Sequence, residues 1–450
     1  MSKQVQNILS NIPAVDLILN HKEIKELSDR FGIFLTKQLL GEALSKIRLE
    51  VKNGKINQLD ELAVINFVSE YINDYFLDSL RPVINATGVI LHTNLGRAPL
   101  KDYAIESIKN NSNYSNLEFD LRNAKRRKRG AFLESMICRI SGAESALVVN
   151  NCAAAVFLSL AILPKNSEVV IPRGELVEIG GGFRMPEVME RSEIRLREIG
   201  TTNSTRLSDY ENAIASNTSA ILSVVPSNFE IVGYKKSCDF KEVADLSKKH
   251  KIPFMIDLGS SFLSVNRENT ELDLALKAGA DLVCFSGDKK LSGPQSGIVV
   301  GKTELIEKMR KHPLYRAFRP DKLILSVLES VLIDISKGRE GDPFLKNELT
   351  IKNRAQSFIE ALPFKERVSL IKTQASIGGG SGSENKYNSY AILLKTKNSE
   401  KLNKHLRINS PHIITGIRED SLIIDFYTLS ESDDPVLLKS LEKIFNSNLL

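Results

Sequence analysis

Between residues 145 and 300, short β-branched runs alternate with helical stretches, and this alternation constrains the fold more than any other feature of the chain. The runs lie at 146–150, 169–172, 194–199, 220–225, 253–258, 281–285 and 297–300, with amphipathic segments such as 240–250 between them. Strands separated by helices form a mostly parallel sheet with helices packed on its faces. The predicted class is therefore α/β. Before this region, Ile24, Leu27, Phe31, Phe34 and Leu35 recur at helical spacing, followed by a second helical pattern through Leu62, Ile65, Val68 and Ile72. After about residue 331, a helix at 347–362 mixes with strands at 390–394 and 422–427, predicting a small α+β domain. Gly378, Gly379, Gly380 and Gly382 mark a flexible loop within it. The 450 residues thus divide into a helical N-terminal domain (1–75), a central α/β domain (76–330) and a C-terminal domain (331–450).

Several function classes are set aside by what the chain lacks. Its first twenty residues carry Asp16 among scattered polar residues, where a signal peptide needs an unbroken apolar run. The most apolar stretch, 153–163, is too short to span a bilayer. A cytoplasmic protein without a membrane partner is expected. Cys138, Cys152, Cys238 and Cys284 are scattered, with no CxxC pair and no nearby His, which argues against a disulfide framework and a structural zinc site; no metal is expected. The net charge of +6 permits an anionic partner. Lys125, Arg126, Arg127, Lys128 and Arg129 form one basic run, readable as a phosphate contact or as a solvated basic turn. Residues 1–75 hold nine Lys/Arg against ten Asp/Glu, so this region is not a basic module and no DNA partner is predicted.

In open parallel sheets, ligands bind beyond the carboxyl ends of strands, and four such ends carry chemistry. Asn151, Cys152 and Ala153 open an Ala-rich helix, where small residues and free N–H groups suit a phosphate. A plain Asn N-cap suits Asn151 equally well. Asp257 ends an apolar strand, in position to face a protonated pyridine nitrogen, although a lone Asp is more often a turn or cap residue. Lys289 follows another strand, 32 residues later, where a partly desolvated lysine forms a Schiff base, and Ser286 is placed to bond the same cofactor's phosphate. Arg316 and Arg319, at i and i+3, would share a helix face and clamp a small oxyanion, or be ordinary surface charges. Together these residues point to pyridoxal 5'-phosphate.

Residues 83–100, VINATGVILHTNLGRAPL, resemble the signature segment of the bacterial selenocysteine synthase family, the L-seryl-tRNA(Sec) selenium transferases. Further matches follow in order: residues 114–118 (YSNLE), 173–181 (RGELVEIGG), 200–203 (GTTN), 286–289 (SGDK), 293–295 (GPQ) and the Arg316/Arg319 segment. They cover nearly the whole chain. The resemblance implies a fold-type-I, aminotransferase-like enzyme dependent on pyridoxal phosphate. It implies that seryl-tRNA(Sec) is converted to selenocysteyl-tRNA(Sec) through an aminoacrylyl-tRNA, with selenophosphate as donor. By motif match Lys289 is the cofactor lysine, Asp288 its catalytic neighbour, and Arg97, Arg316 and Arg319 hold the selenophosphate. The N-terminal domain is expected to recognise the tRNA, and the assembly to be a large ring-like homo-oligomer such as a decamer.

The chain also departs from the family. Phe132 stands where the family has a His, Ser204 where it has an Arg, and Val225 where a His is expected. Cys152 replaces an Asn, and Lys290-Leu291-Ser292-Gly293 replaces Leu-Leu-Gly-Gly. These changes motivate two alternatives: a divergent paralogue acting on a small free amino acid, or a tRNA-binding protein that has lost catalysis.

Overall fold

The computed structural model describes residues 3–179, 182–226, 231–266, 270–338, 342–378 and 386–446. Two compact units emerge, one made of 1–83 with 408–412, the other of 84–407 with 413–450.

The first unit is helical. Its helices Lys22–Phe31, Ile33–Lys52 and Glu61–Leu77 bury Ile24, Leu27, Leu40, Leu44, Ile47, Ile65, Val68 and Ile72 in one apolar cluster. Asp60 caps the last of these, its carboxylate accepting from Ala63 N–H at 2.7 Å. The continuous spacing read from Ile24 to Leu35 is corrected at one point. The chain breaks at Gly32 (φ +91°), which resets the helical phase and leaves Phe34 exposed.

In the second unit, the seven predicted runs form one sheet: β1 Ser145–Val149, β2 Glu168–Pro172, β3 Arg195–Ile199, β4 Thr218–Val224, β5 Phe254–Ser260, β6 Leu282–Ser286 and β7 Gly297–Gly301. Their spatial order is β1-β7-β6-β5-β4-β2-β3. Only β7 runs against the rest, pairing antiparallel with both β1 and β6. Alternate residues of the central strands enter two different apolar clusters. Val148, Ile256, Val283 and Ile298 face one side, while Val149, Met255, Leu282 and Val299 face the other. Burial on both faces is why these strands read as nearly unbroken apolar runs.

A four-stranded antiparallel sheet follows, ordered Val368–Ser376, Lys386–Lys395, Ser421–Asp425, Gly416–Arg418, with the Asn347-capped helix Glu348–Ala361 against it. The strand Val368–Ser376 carries no apolar run because it lies at the sheet edge, half exposed. Gly379, Gly380 and Gly382 of the predicted loop lie outside the described residues. Among the described residues, no helix is long and apolar enough to cross a membrane.

Candidate active site

The carboxyl ends of β1, β5 and β6 lie together because β7 alone separates β1 from β6, and β6 pairs directly with β5. After β6 the chain turns tightly: Gly293 N–H donates to Gly287 O and Ser292 N–H to Lys289 O, both at 2.8 Å. Ser292 adopts a left-handed conformation (φ +58°) in this turn. The turn carries Lys289, whose exposure is only 7%. Burial pushes the Lys289 ammonium below the ordinary lysine range; the nearby Arg97 adds to this, while Cys152, Asp257 and Asp288 oppose it.

Asp257 stands near the end of β5, also buried. Its Oδ1 accepts from Gly259 N–H at 2.9 Å and from the Cys152 thiol at 3.5 Å. Burial outweighs these bonds and the Lys289 charge, so the carboxyl sits above its usual range. A carboxylate in this position gains most from a second cationic partner. Cys152 begins the helix Cys152–Ala161, and the Ser286 hydroxyl hydrogen-bonds its thiol. Asn151 caps that helix, its side chain accepting from Ala154 N–H at 2.8 Å. The N–H groups at Cys152 and Ala153 precede the helical ladder and are the donors an anion would use. Both readings of Asn151, cap and phosphate turn, are compatible in one geometry. Gly297 permits it: a Cβ there would lie 2.1 Å from the Asn151 carbonyl oxygen.

Arg97 reaches the same turn along a different route. Residues 86–91 are bound to the C-terminal sheet region, with Asp425 N–H donating to Ala86 O (2.9 Å) and Leu91 N–H to Ile377 O (2.7 Å). The chain then places Arg97, itself left-handed (φ +63°), so that its Nη1 donates to Asp288 at 2.6 Å, while Ala98 N–H donates to Asp288 O at 3.3 Å. Lys289, Asp288, Asp257, Ser286, Cys152, Asn151 and Arg97 are therefore brought together.

The two other arginines need a correction. Arg316 lies exposed in the short helix Pro313–Phe318, but Arg319 falls beyond its end in extended conformation, so the pair does not share a helix face. The segment still abuts the site: Phe318 O accepts from Asn150 N–H at 2.8 Å, and the Phe318 ring meets Phe157 edge-on. Arg319 comes within 3.8 Å of Glu118, which also pairs with Arg126 and Arg129. Hydrogen bonding to Arg129 holds the Glu118 carboxyl below its usual range. Within the basic run 125–129, Arg126 and Arg129 thus meet Glu118 and Lys128 meets Glu134. Lys125, Arg126 and Lys128 remain exposed, as in the solvated turn read from the run.

The departures fall at definite places. Val225 N–H donates to Asp257 O at 2.9 Å. Phe132, half exposed, lines a cavity of about 230 Å³ with Arg127 and Glu329. Ser204 lines a second cavity, about 190 Å³, beyond β2 and β4, together with Glu175 and Lys235. Glu175 follows β2, and only this strand-end position signals it in the sequence. Its Oε2 accepts from Val224 N–H (2.7 Å) and Ser223 Oγ (2.9 Å), and burial pushes the carboxyl up to about 7. Among the described residues, no group of three His, Cys, Asp or Glu is placed to hold a metal ion.

Residues 83–430 match the family described as L-seryl-tRNA selenium transferase. The chain is 39% identical to the L-seryl-tRNA(Sec) selenium transferase of Carboxydothermus hydrogenoformans, over 98% of each chain. It is 36% identical to the protein of that name from Aliarcobacter butzleri, over 98% of this chain and 99% of the relative. Among solved structures it is similar to D-glucosaminate-6-phosphate ammonia-lyase, with a TM-score of 0.61 and 18% identity, covering 83% of this chain and 98% of the other; this likeness concerns the fold alone.

Proposed function

This chain belongs to the L-seryl-tRNA selenium transferase family, and we propose that Lys289 carries its cofactor while Arg97, Arg316 and Arg319 receive the selenium donor. It is a fold-type-I enzyme dependent on pyridoxal phosphate, acting on seryl-tRNA(Sec). In this reading selenophosphate is the donor, a ring-like homo-oligomer such as a decamer is the working assembly, and the cytoplasm, where tRNA is charged, is its place.

The donor set fits pyridoxal phosphate. Asp257, raised by burial and short of cationic partners, is suited to the ring nitrogen. The N–H groups of Cys152 and Ala153, with the Ser286 hydroxyl, are suited to the phosphate. Lys289, its ammonium disfavoured by burial, is suited to join the aldehyde. When bound, the cofactor supplies an electron sink that labilises the substrate's α-proton and its β-hydroxyl.

The protein's own share is positioning and charge. The Lys289 amine, its ammonium disfavoured by burial, would be the base for the substrate's α-proton. Asp288 holds Arg97 by one nitrogen, leaving further N–H donors of that guanidinium for an oxyanion. Arg319 faces Glu118 more loosely, at 3.8 Å. The net change on the substrate is departure of the serine hydroxyl and arrival of selenium at the same carbon.

The observation that carries this reading is the convergence of Lys289, Asp257 and Cys152 in one buried cluster beside the Arg97–Asp288 pair. Purified protein is incubated with seryl-tRNA(Sec) and selenophosphate, with Lys289→Ala alongside. The wild type should form selenocysteyl-tRNA and show a visible absorption band, and the variant should do neither. A variant with full turnover would overturn the assignment.

A further inference from the structure

Two lysines lie side by side after β6, and burial does not distinguish them: Lys289 is 7% exposed and Lys290 6%. An amine joins an aldehyde only as the free base. Its lone pair adds to the carbonyl carbon, a C–N bond forms, and the oxygen leaves as water. A second buried amine one residue away is therefore a competitor unless something withholds it.

The two side chains differ in what they meet. Lys289 feels Cys152, Asp257, Arg97 and Asp288. Lys290 instead forms an ion pair with Glu271 Oε1 and lies over the Phe262 ring, 5.2 Å from its centroid. Its backbone N–H donates to Ser260 Oγ at 3.2 Å. Glu271 is itself fixed as the first residue of the helix Glu271–Ala278, its Oε2 accepting from Ser261 Oγ at 3.3 Å. Ser261 Oγ in turn accepts from Leu272 N–H at 3.1 Å. An ammonium locked in this arrangement has no lone pair to offer and points to carboxylate rather than cofactor.

We propose that Glu271 is a positioning residue that sequesters the Lys290 amine, so that the cofactor aldehyde joins Lys289 alone. The inference rests on the reading of Lys289 given above. Its test is the site of attachment rather than turnover. Full-length protein is loaded with one equivalent of pyridoxal phosphate, reduced with borohydride and digested, and the modified lysine is identified by mass spectrometry.

Wild type should carry the adduct on Lys289, and Lys289→Ala should carry none on Lys290. The double variant Lys289→Ala/Glu271→Gln should gain the adduct on Lys290 and regain a visible band. Circular dichroism melts establish that each variant folds. Should the double variant not fold, Glu271→Gln alone serves, with the adduct divided between the two lysines. Labelling of Lys290 in Lys289→Ala as heavy as in the double variant would overturn the proposal. So would a folded double variant left unlabelled at Lys290 while the wild type is labelled at Lys289. A wild type unlabelled at Lys289 would instead overturn the reading beneath it as well.

Discussion

Replacing Glu175 by Gln should remove a pH dependence of stability that runs opposite to that of an ordinary surface carboxylate. Glu175 accepts two hydrogen bonds, from Ser223 and Val224, and feels the charge of Lys235, but burial prevails and its pKa rises from 4.5 to about 7. Tyr210 and Cys238 also face its charge, and both are held protonated well above neutral pH. The folded chain thus binds this proton more tightly than the unfolded chain does. Below pH 4.5 both states keep it and nothing is lost. Between 4.5 and about 7 the unfolded chain releases it first, so stability falls as pH rises; above that the loss is constant. At about 1.4 kcal/mol per tenfold, the loss amounts to roughly 3 kcal/mol. Gln keeps a carbonyl acceptor for Ser223 and Val224 and carries no charge. The variant should therefore match the wild type near pH 4.5 and exceed it by up to about 3 kcal/mol at pH 8. In a unit of this size that is a rise of roughly 4 °C in Tm. Thermal melts of both proteins across this range give the difference directly. Parallel curves would mean that Glu175 ionises like a hydrated carboxylate and that the burial argument is wrong.

Three further outcomes are expected. Gly297→Ala forces a Cβ against the Asn151 carbonyl, so the cofactor turn must shift; stability should fall by about 1–3 kcal/mol and pyridoxal phosphate should bind more weakly, read by melting and by titration of the visible band. Arg310→Ala removes both nitrogens that donate to the buried Glu134 at 3.0 Å and leaves it Lys128, so it should cost about 1–3 kcal/mol in urea denaturation, an unchanged midpoint being the refuting result. The rate of selenium transfer at saturating substrate should climb with pH as Lys289 loses its proton, through a midpoint below the ordinary lysine value of 10.5, because burial lowers Lys289; a midpoint at or above that value would contradict the assignment.

Much of this site is legible in the sequence because strands buried on both faces must be apolar throughout. Asp257 and Lys289 stand out as charged residues at the ends of such runs. The edge strand Val368–Ser376, alternately wet, leaves no comparable mark. The carboxylates that fix the arrangement are silent for a different reason. Glu175 matters through residues 48 positions away, and Glu271 through a lysine 19 positions away, and no local pattern encodes either contact. Helical spacing misleads at Phe34 and Arg319, where a glycine break and an early helix end cancel the periodicity.

The segment that leads to Arg97 has a consequence for how the chain is made. Gly88 N–H donates to Thr428 Oγ1 across 340 residues of sequence, and Ala86 waits equally long for Asp425. A ribosome therefore releases Lys289 and both strands flanking it well before the partners that hold the Arg97 segment have been synthesised. The central sheet can gather during translation, but the arginine arm cannot be seated until the last strands emerge. Nascent or prematurely terminated chains would thus expose an incomplete site, and quality-control proteases would meet that segment as an untethered ribbon.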